Sequence, residues 1–233
     1  MRVTLKLATS LDGRIATAAG ESKWITGPAA REQVHRLRAL HQAVLVGVET
    51  AIADDPELTV RLPGFVGFQP TRVVLDSRQR LPADLKLVTD ATRLDTVVIT
   101  TANPNKRLTD AGVTVLRVVE SEGRPDLAAA LQALRLHLAG RLAQTLPERA
   151  AGGSAEGYDP ALFVEGGGQV AASFLKAGLV DAIEWFRAPI VLGDEGRPAI
   201  GEFVLDRLAD APRFRRVAIH EVGDDLWERY ERL

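Results

Sequence analysis

Residues 161–175 carry the densest chemical signal in the chain. Four apolar residues, Ala161-Leu162-Phe163-Val164, lead into a carboxylate, Glu165, then Gly166-Gly167-Gly168, then a helical pattern through Leu175. The apolar run predicts a buried strand, and the glycines predict a turn into a helix. The first backbone N–H groups of a helix have no intrahelical acceptor, and the helix dipole favours a bound anion beside them. Glycine lacks the Cβ that would hold a phosphate off the backbone. Glu165 stands at the carboxyl end of its strand, where open α/β sheets place their ligands. The same residues also suit a tight strand–helix turn that binds nothing.

Other polar groups fall at predicted strand ends and in loops. Lys6 is expected to end the first strand, Ser22 and Trp24 occupy the next loop, and Arg38 comes late in the first helix. Thr50, Asp54 and Arg61 follow the second long strand, and Ser77 follows the third. In a parallel sheet such ends gather along one edge. Singly, each has a structural reading: Arg38 a solvated helix face, Trp24 a core anchor, Asp54 a helix-ending turn. Several chemistries lack their motif. No GxGxxG, GxxxxGK[ST] or GxSxG occurs, which argues against a Rossmann fingerprint, a P-loop and a nucleophile elbow. His35, His41, His137 and His220 have no metal-ligand spacing, so no metal site is expected.

The elements that must position these groups follow from periodicity. Val3–Leu7 predicts a strand, and Asp12-Gly13 a turn after it. Pro28 suits the first turn of a helix capped near Thr26 or Gly27, with Val34, Leu37, Leu40 and His41 on one face and Arg31, Arg36 and Arg38 elsewhere. Ala43–Val48 is an unbroken apolar strand, the kind buried on both faces. Residues 49–53 predict a short helix stopped by Asp54-Asp55-Pro56, and Glu57-Leu58-Thr59-Val60-Arg61 an extended segment. Strands are predicted at 72–76, 96–101 and 113–119, with helices at 104–111 and 125–146, the latter open to interruption at Gly140. Residues 151–160 are small and polar. Strand 180–186, continued past a bend by Pro189–Leu192, precedes a glycine-rich loop at 193–201. Segments 213–220 and 226–232 form a closing hairpin with Gly223-Asp224-Asp225 at its turn. Alternating strands and helices with a terminal hairpin predict an α/β fold with a mostly parallel sheet. One domain is expected, with an insertion at about 137–160.

Composition bounds the function. The chain has 233 residues, 46% hydrophobic and 26% charged, ordinary for a globular protein. A net charge of -2 gives no pull toward nucleic acid or anionic membrane. Zero cysteines exclude disulfides and thiolate chemistry. The first residues, Met1-Arg2-Val3-Thr4-Leu5-Lys6, lack a signal-peptide core, and no run of about 18 apolar residues appears. A cytoplasmic protein without a membrane span is expected.

Five ordered stretches carry a family resemblance: Ser10–Ala16, Gly20–Thr26, Ala53–Arg61, Arg72–Ser77 and Val164–Gly168. With them the chain resembles the reductase (C-terminal) domain of the bacterial bifunctional riboflavin-biosynthesis deaminase–reductase. The resemblance implies a dihydrofolate-reductase-like fold and NADPH as cofactor. It implies reduction of 5-amino-6-(5-phosphoribosylamino)uracil, a phosphorylated ribosylaminopyrimidine, to the ribitylamino product. By matched position, Ser22, Arg38, Leu58, Arg61 and Glu165 are implied as substrate contacts. Ala8, Trp24, Thr50, Asp54, Ser77, Gly167, Gly168, Gln169, Val170, Ala171, Ala172 and Ser173 are implied as cofactor contacts. Two guanidiniums, Arg38 and Arg61, suit a ribose phosphate. Glu165 suits the N–H groups of a pyrimidine. Lys6 and Asp54 are the candidate proton donors to the ring-opened sugar imine. Ser77 with Arg78 is the candidate pair for the cofactor 2′-phosphate. A homodimer is also implied. The family's zinc deaminase half needs cysteines, so deamination is expected from a separate protein. Two alternatives stand beside this reading. One is a reductase of the same fold acting on the undeaminated diaminopyrimidinone or a pterin. The other is a non-catalytic nucleotide-binding protein.

Overall fold

A computed structural model describes residues 1–145 and 159–233. The strands form a mostly parallel central sheet with helices and a C-terminal antiparallel hairpin. The chain divides into two compact units, one built mainly from residues 39–59 and 67–162, the other from 3–38, 60–66 and 163–233.

The first unit holds β3 (Ala43–Gly47), β4 (Thr71–Leu75), β5 (Thr96–Thr100) and β6 (Thr114–Arg117), side by side in that order and all parallel. β3 and β5 are buried at every position, as strands covered on both faces are. Helix α2 (Val48–Asp54) ends where Asp55 turns left-handed at φ 41° and donates its N–H to Ala51 O at 3.2 Å. Pro56 then prevents continuation. Leu58 does not stay extended as the sequence pattern suggested. It sits at φ 53° and is 1% exposed, so burial of its side chain holds a backbone that leucine disfavours. The one-turn helix α3 (Lys86–Thr89) escaped prediction because four residues hold no readable period; Asp55 Oδ1 accepts the Lys86 N–H at 2.8 Å. Helix α4 (Lys106–Asp110) is capped by the Asn105 side chain. A small antiparallel pair, β7 (Glu120–Ser121) with β8 (Arg124–Pro125), precedes α5 (Leu127–Thr145). That helix runs unbroken through Gly140, with Ala130, Leu134 and Leu138 buried. A lone helical glycine costs only ~1 kcal/mol, which docking offsets. The expected polar segment at 151–160, and most of the expected insertion, lie outside the described residues.

Asp95 ties α5 to this unit's sheet. Its carboxylate accepts from Thr71 Oγ1 at 2.6 Å and Arg141 Nη1 at 2.7 Å, and meets His137 Nε2 at 3.0 Å. Burial pushes the Asp95 carboxyl up; bonds from His137 and Thr71, with the charges of His137 and Arg141, outweigh it and hold it below its ordinary value. A depressed folded pKa stabilises above the unfolded value and is lost as pH falls through the folded one. Stability is therefore expected to drop below about pH 4 more steeply in the native chain than in Asp95→Asn. Urea midpoints measured across acid pH check this, and parallel curves would overturn it.

The second unit orders its strands β12 (Phe214–Val222), β13 (Asp225–Arg232), β10 (Ala182–Arg187), β1 (Arg2–Thr9) and β9 (Ala161–Gly166), side by side in that order. β1 runs parallel to β10, and β13 pairs antiparallel with both β10 and β12. The hairpin turns at Gly223, φ 66°. A two-strand ribbon joins β2 (Arg14–Ala16) to β11 (Arg197–Pro198). Residues 189–192 are not a strand extension but an irregular segment leading to that ribbon. Helix α1 (Pro28–Ala39) starts where Asp225 Oδ2 accepts the Gly27 N–H at 2.6 Å. It ends one residue before Leu40, which is 70% exposed, so the expected apolar face stops at Leu37. Arg38 is buried beside Leu37 instead of pointing to solvent. β9 (Ala161–Gly166) and α6 (Gly168–Lys176) form the strand–turn–helix expected from the glycines. Leu5, Phe163, Phe174 and Phe186 fill this unit's core.

Candidate active site

Within the second unit, β1, β9 and α1 bring Lys6, Glu165 and Arg38 together. Arg38 Nε donates to Glu165 Oε1 at 2.5 Å and Nη2 donates to Oε2 at 2.8 Å, a two-pronged pair with side chains only 10% and 9% exposed. Planar guanidinium and carboxylate match in this geometry. Burial pushes the Glu165 carboxyl up, but the Arg38 charge and bonds, then Lys6 and His35, bring it below its ordinary value. Glu165 is therefore an anion at neutral pH. Two of the Arg38 donor positions thus hold Glu165 in place.

Lys6 does not end its strand. β1 continues to Thr9, and Lys6 lies opposite Glu184, whose carboxylate accepts from Trp227 Nε1 at 2.6 Å and Arg229 Nε at 3.0 Å. Strand alternation puts Lys6 and Ala8 on one half-buried face, with Leu5 and Leu7 buried on the other. His35 was missed by sequence reasoning. Its Nδ1 accepts the Arg61 N–H at 3.2 Å. The available signal was its i, i+3 spacing from Arg38 on one helix. Ser22 lies in the loop before α1. Trp24 is no core anchor: it is 67% exposed, with the Arg31 guanidinium 4.5 Å from its ring centroid.

The glycine turn divides its duties. Gly166 adopts φ 112°, a region open to glycine and costly for other residues. Gly167 caps α6 in extended conformation, and the Gly166–Gly167 peptide is cis. Gly168 has a reason internal to the chain: a Cβ there would lie 2.7 Å from Pro198 O. So not all three glycines clear space for a ligand. The first-turn N–H groups of Gly168, Gln169 and Val170 have no acceptor within the helix, and they fit an anion such as a dinucleotide phosphate. Ala171 and Ala172 face the core; Gln169 is exposed, and Ser173 Oγ donates to Gln169 O at 2.9 Å.

The remaining expected residues lie in the first unit. Thr50 and Asp54 are one turn apart on α2, and Leu58 follows it. Ser77 follows β4, and its carbonyl accepts from Thr100 Oγ1 at 3.0 Å and Thr101 Oγ1 at 3.1 Å. Among the described residues, no group of three or more His, Asp or Glu side chains is placed to hold a metal ion, and no helix is long and apolar enough to cross a membrane.

The protein RibD of Bacillus amyloliquefaciens, named for riboflavin biosynthesis, is 35% identical over 229 residues, covering 96% of this chain and 55% of its own length. A 2,5-diamino-6-ribosylamino-4(3H)-pyrimidinone 5′-phosphate reductase from Methanothermobacter thermautotrophicus is 34% identical, covering 98% of this chain and 96% of the relative. RibD of Acinetobacter baumannii superposes over the whole chain with a TM-score of 0.78 at 30% identity, using 58% of that structure. The chain thus spans just over half the length of its RibD relatives. A family model described as the RibD C-terminal domain matches residues 1–143 and 155–227, and the chain belongs to that family.

Proposed function

We propose that this chain is an NADPH-dependent reductase of riboflavin biosynthesis, converting 5-amino-6-(5-phosphoribosylamino)uracil to its ribitylamino product. The observation that carries this is the ionised, Arg38-braced Glu165 beside Lys6, immediately before the glycine turn that opens α6. Glu165 accepts hydrogen bonds from the pyrimidine N–H groups. Arg61 together with Arg38 takes the sugar phosphate, with Ser22 and Leu58 as further substrate contacts. The N–H groups of Gly168–Val170 hold the dinucleotide phosphates, with Gly167, Ala171, Ala172 and Ser173 in the same turn and helix. Ala8, Trp24, Thr50, Asp54 and Ser77 complete the cofactor contacts, and Ser77 with Arg78 meets the 2′-phosphate. When bound, NADPH supplies the hydride that the sugar C1 receives. Lys6 gives a proton to the adjoining imine nitrogen, raising the electrophilicity of C1; Asp54 is the alternative donor.

A second reading concerns the substrate. The relative aligned over nearly its full length is named for the undeaminated diaminopyrimidinone, so that compound is the competing substrate. We further take residues 1–233 as one reductase domain, with an insertion near 137–160; the family match passes over 144–154. It works as a cytoplasmic homodimer and receives its deaminated substrate from a deaminase outside this sequence.

The test is NADPH oxidation by purified protein with the deaminated substrate, the undeaminated one, dihydrofolate and NADH in parallel arms. Turnover on the deaminated compound, with Lys6→Met lowering kcat at least ~100-fold and leaving KM near native, is expected. Turnover only on the undeaminated compound would move the substrate one step earlier. NADPH binding without turnover in any arm would sink the reductase reading.

A further inference from the structure

We propose that Asp12 is a positioning residue for the start of α6, acting through residues 189–201; the proposal rests on the reading of that helix start as the dinucleotide phosphate site. Asp12 lies in the turn between β1 and β2. Ser10 Oγ donates to Asp12 Oδ1 at 2.6 Å and accepts the Arg14 N–H at 2.9 Å, shaping the turn. The carboxylate then reaches across to another segment. Oδ1 accepts the Leu192 N–H at 3.1 Å and Oδ2 accepts the Gly193 N–H at 2.7 Å. Alongside, the Leu11 N–H donates to Ile190 O at 2.8 Å.

From this anchor the segment runs along the β1–β2 turn toward the helix. The Ala199 N–H donates to Gly13 O at 3.0 Å, and β11 pairs with β2. Gly196 fits against Arg14 so closely that an added Cβ would lie 2.9 Å from Arg14 Cγ. At the far end, the Gly201 N–H donates to Gly168 O at 2.8 Å. The Pro198 carbonyl occupies the place a Cβ of Gly168 would need, 2.7 Å away. A Cβ on Gly201 would likewise stand 3.2 Å from Gln169 N and Cα. The segment is therefore held at one end by the Asp12 carboxylate and seated at the other on the first two residues of α6.

The chemistry of position 12 matches this task. Three donors converge on two carboxylate oxygens, an arrangement that favours the anion. Ser10, then the Leu192 and Gly193 N–H groups, hold the Asp12 carboxyl down at about 2 against the opposing effect of burial. An asparagine would turn an NH2 group toward one of the two backbone N–H donors. An alanine would release both. The hydrogen bonds of Asp12 to Ser10, Leu192 and Gly193 reach no residue expected to touch substrate, so its influence on α6 runs through the segment it fastens.

The experiment uses the full chain with Asp12→Ala, Asp12→Asn and Asp12→Glu. NADPH Kd is read from nicotinamide fluorescence, the Kd of the phosphorylated pyrimidine from calorimetry without NADPH, and backbone opening from amide exchange. Asp12→Ala is expected to raise the NADPH Kd roughly tenfold and Asp12→Asn several-fold. Asp12→Glu keeps the charge and recovers part of the loss, and the pyrimidine Kd stays within about twofold throughout. Exchange should speed up at Leu192 and Gly193, and also at Gly168–Val170. An unchanged NADPH Kd with unchanged exchange at Gly168–Val170 overturns the proposal, as does an equal rise in both ligand Kd values. If Asp12→Ala does not fold, Asp12→Asn carries the same criteria. Native protein that fails to bind NADPH would overturn the cofactor reading instead, while exchange at Gly168–Val170 still decides whether Asp12 controls the helix start.

Discussion

Glu165→Gln is expected to lower kcat/KM by ~100-fold or more, because it removes the anionic acceptor and disturbs its brace together. Losing a charge-assisted hydrogen bond costs about 1.5–3 kcal/mol, and every 1.4 kcal/mol is about tenfold. Glutamine keeps the shape but turns an NH2 group toward either Arg38 or the substrate. The same pair also bears on stability. Arg38 and Glu165 are 10% and 9% exposed, and removing one partner of such a buried pair costs about 3–5 kcal/mol, whereas replacing both with apolar residues is often nearly neutral. Glu165→Leu or Arg38→Met alone should therefore lower Tm by ~10 °C. The double variant should regain most of that Tm and none of the activity. The Glu165 carboxyl is depressed, so this stabilisation is present above the ordinary carboxylate range and lost as pH falls through the lowered value. Kcat/KM should accordingly be insensitive to Glu165 titration near neutral pH. Glu165→Gln activity within threefold of native would remove Glu165 from substrate recognition.

Arg72→Met should destabilise the first unit by about 4 kcal/mol, visible as a Tm loss of ~8–16 °C. Arg72 is fully buried at 0% exposure. Its guanidinium donates to the carbonyls of Lys86 at 3.3 Å, Leu87 at 3.2 Å and Leu94 at 3.1 Å, and to Thr96 Oγ1. It thereby closes α3 and the turn after it onto β4 and β5. Burial lowers the Arg72 pKa, while the charges of Asp90, Asp95 and Glu57 oppose that and Arg93 adds to it; arginine remains charged in proteins regardless. Methionine fills part of the volume but leaves three carbonyls without this donor, each costing about 1–3 kcal/mol. Lysine, with one ammonium in place of a planar fork, reaches fewer of them and should recover less than half. Amide exchange should rise first at residues 86–94, and a Tm loss under ~2 °C would contradict the brace.

Much of this was legible in the chain itself. β3 announces itself because an unbroken apolar run of five residues suits a strand covered on both faces, and β5 and β9 carry apolar centres of three and four residues. Pro28 and Gly223 mark a helix start and a hairpin turn through their own backbone preferences. Glu165 and the glycine turn stood out because a charge and three glycines interrupt an apolar pattern. The short elements did not: α3, β2 and β11 have two to four residues each, fewer than a period needs.

What only the tertiary structure decided is which group each charged side chain answers. Arg38 read as a solvated helix face, but its partner Glu165 is 127 positions away. Asp12 read as a turn residue, but it fastens Gly193, 181 positions later. Gly168 read as room for a phosphate, but the room is taken by Pro198 O. Leu58 read as extended, but burial holds it at positive φ. Periodicity and turn chemistry are local, so the sequence determined the elements and the family motifs. Pairing of buried charges depends on distances set by packing, and those exist only once the chain has folded.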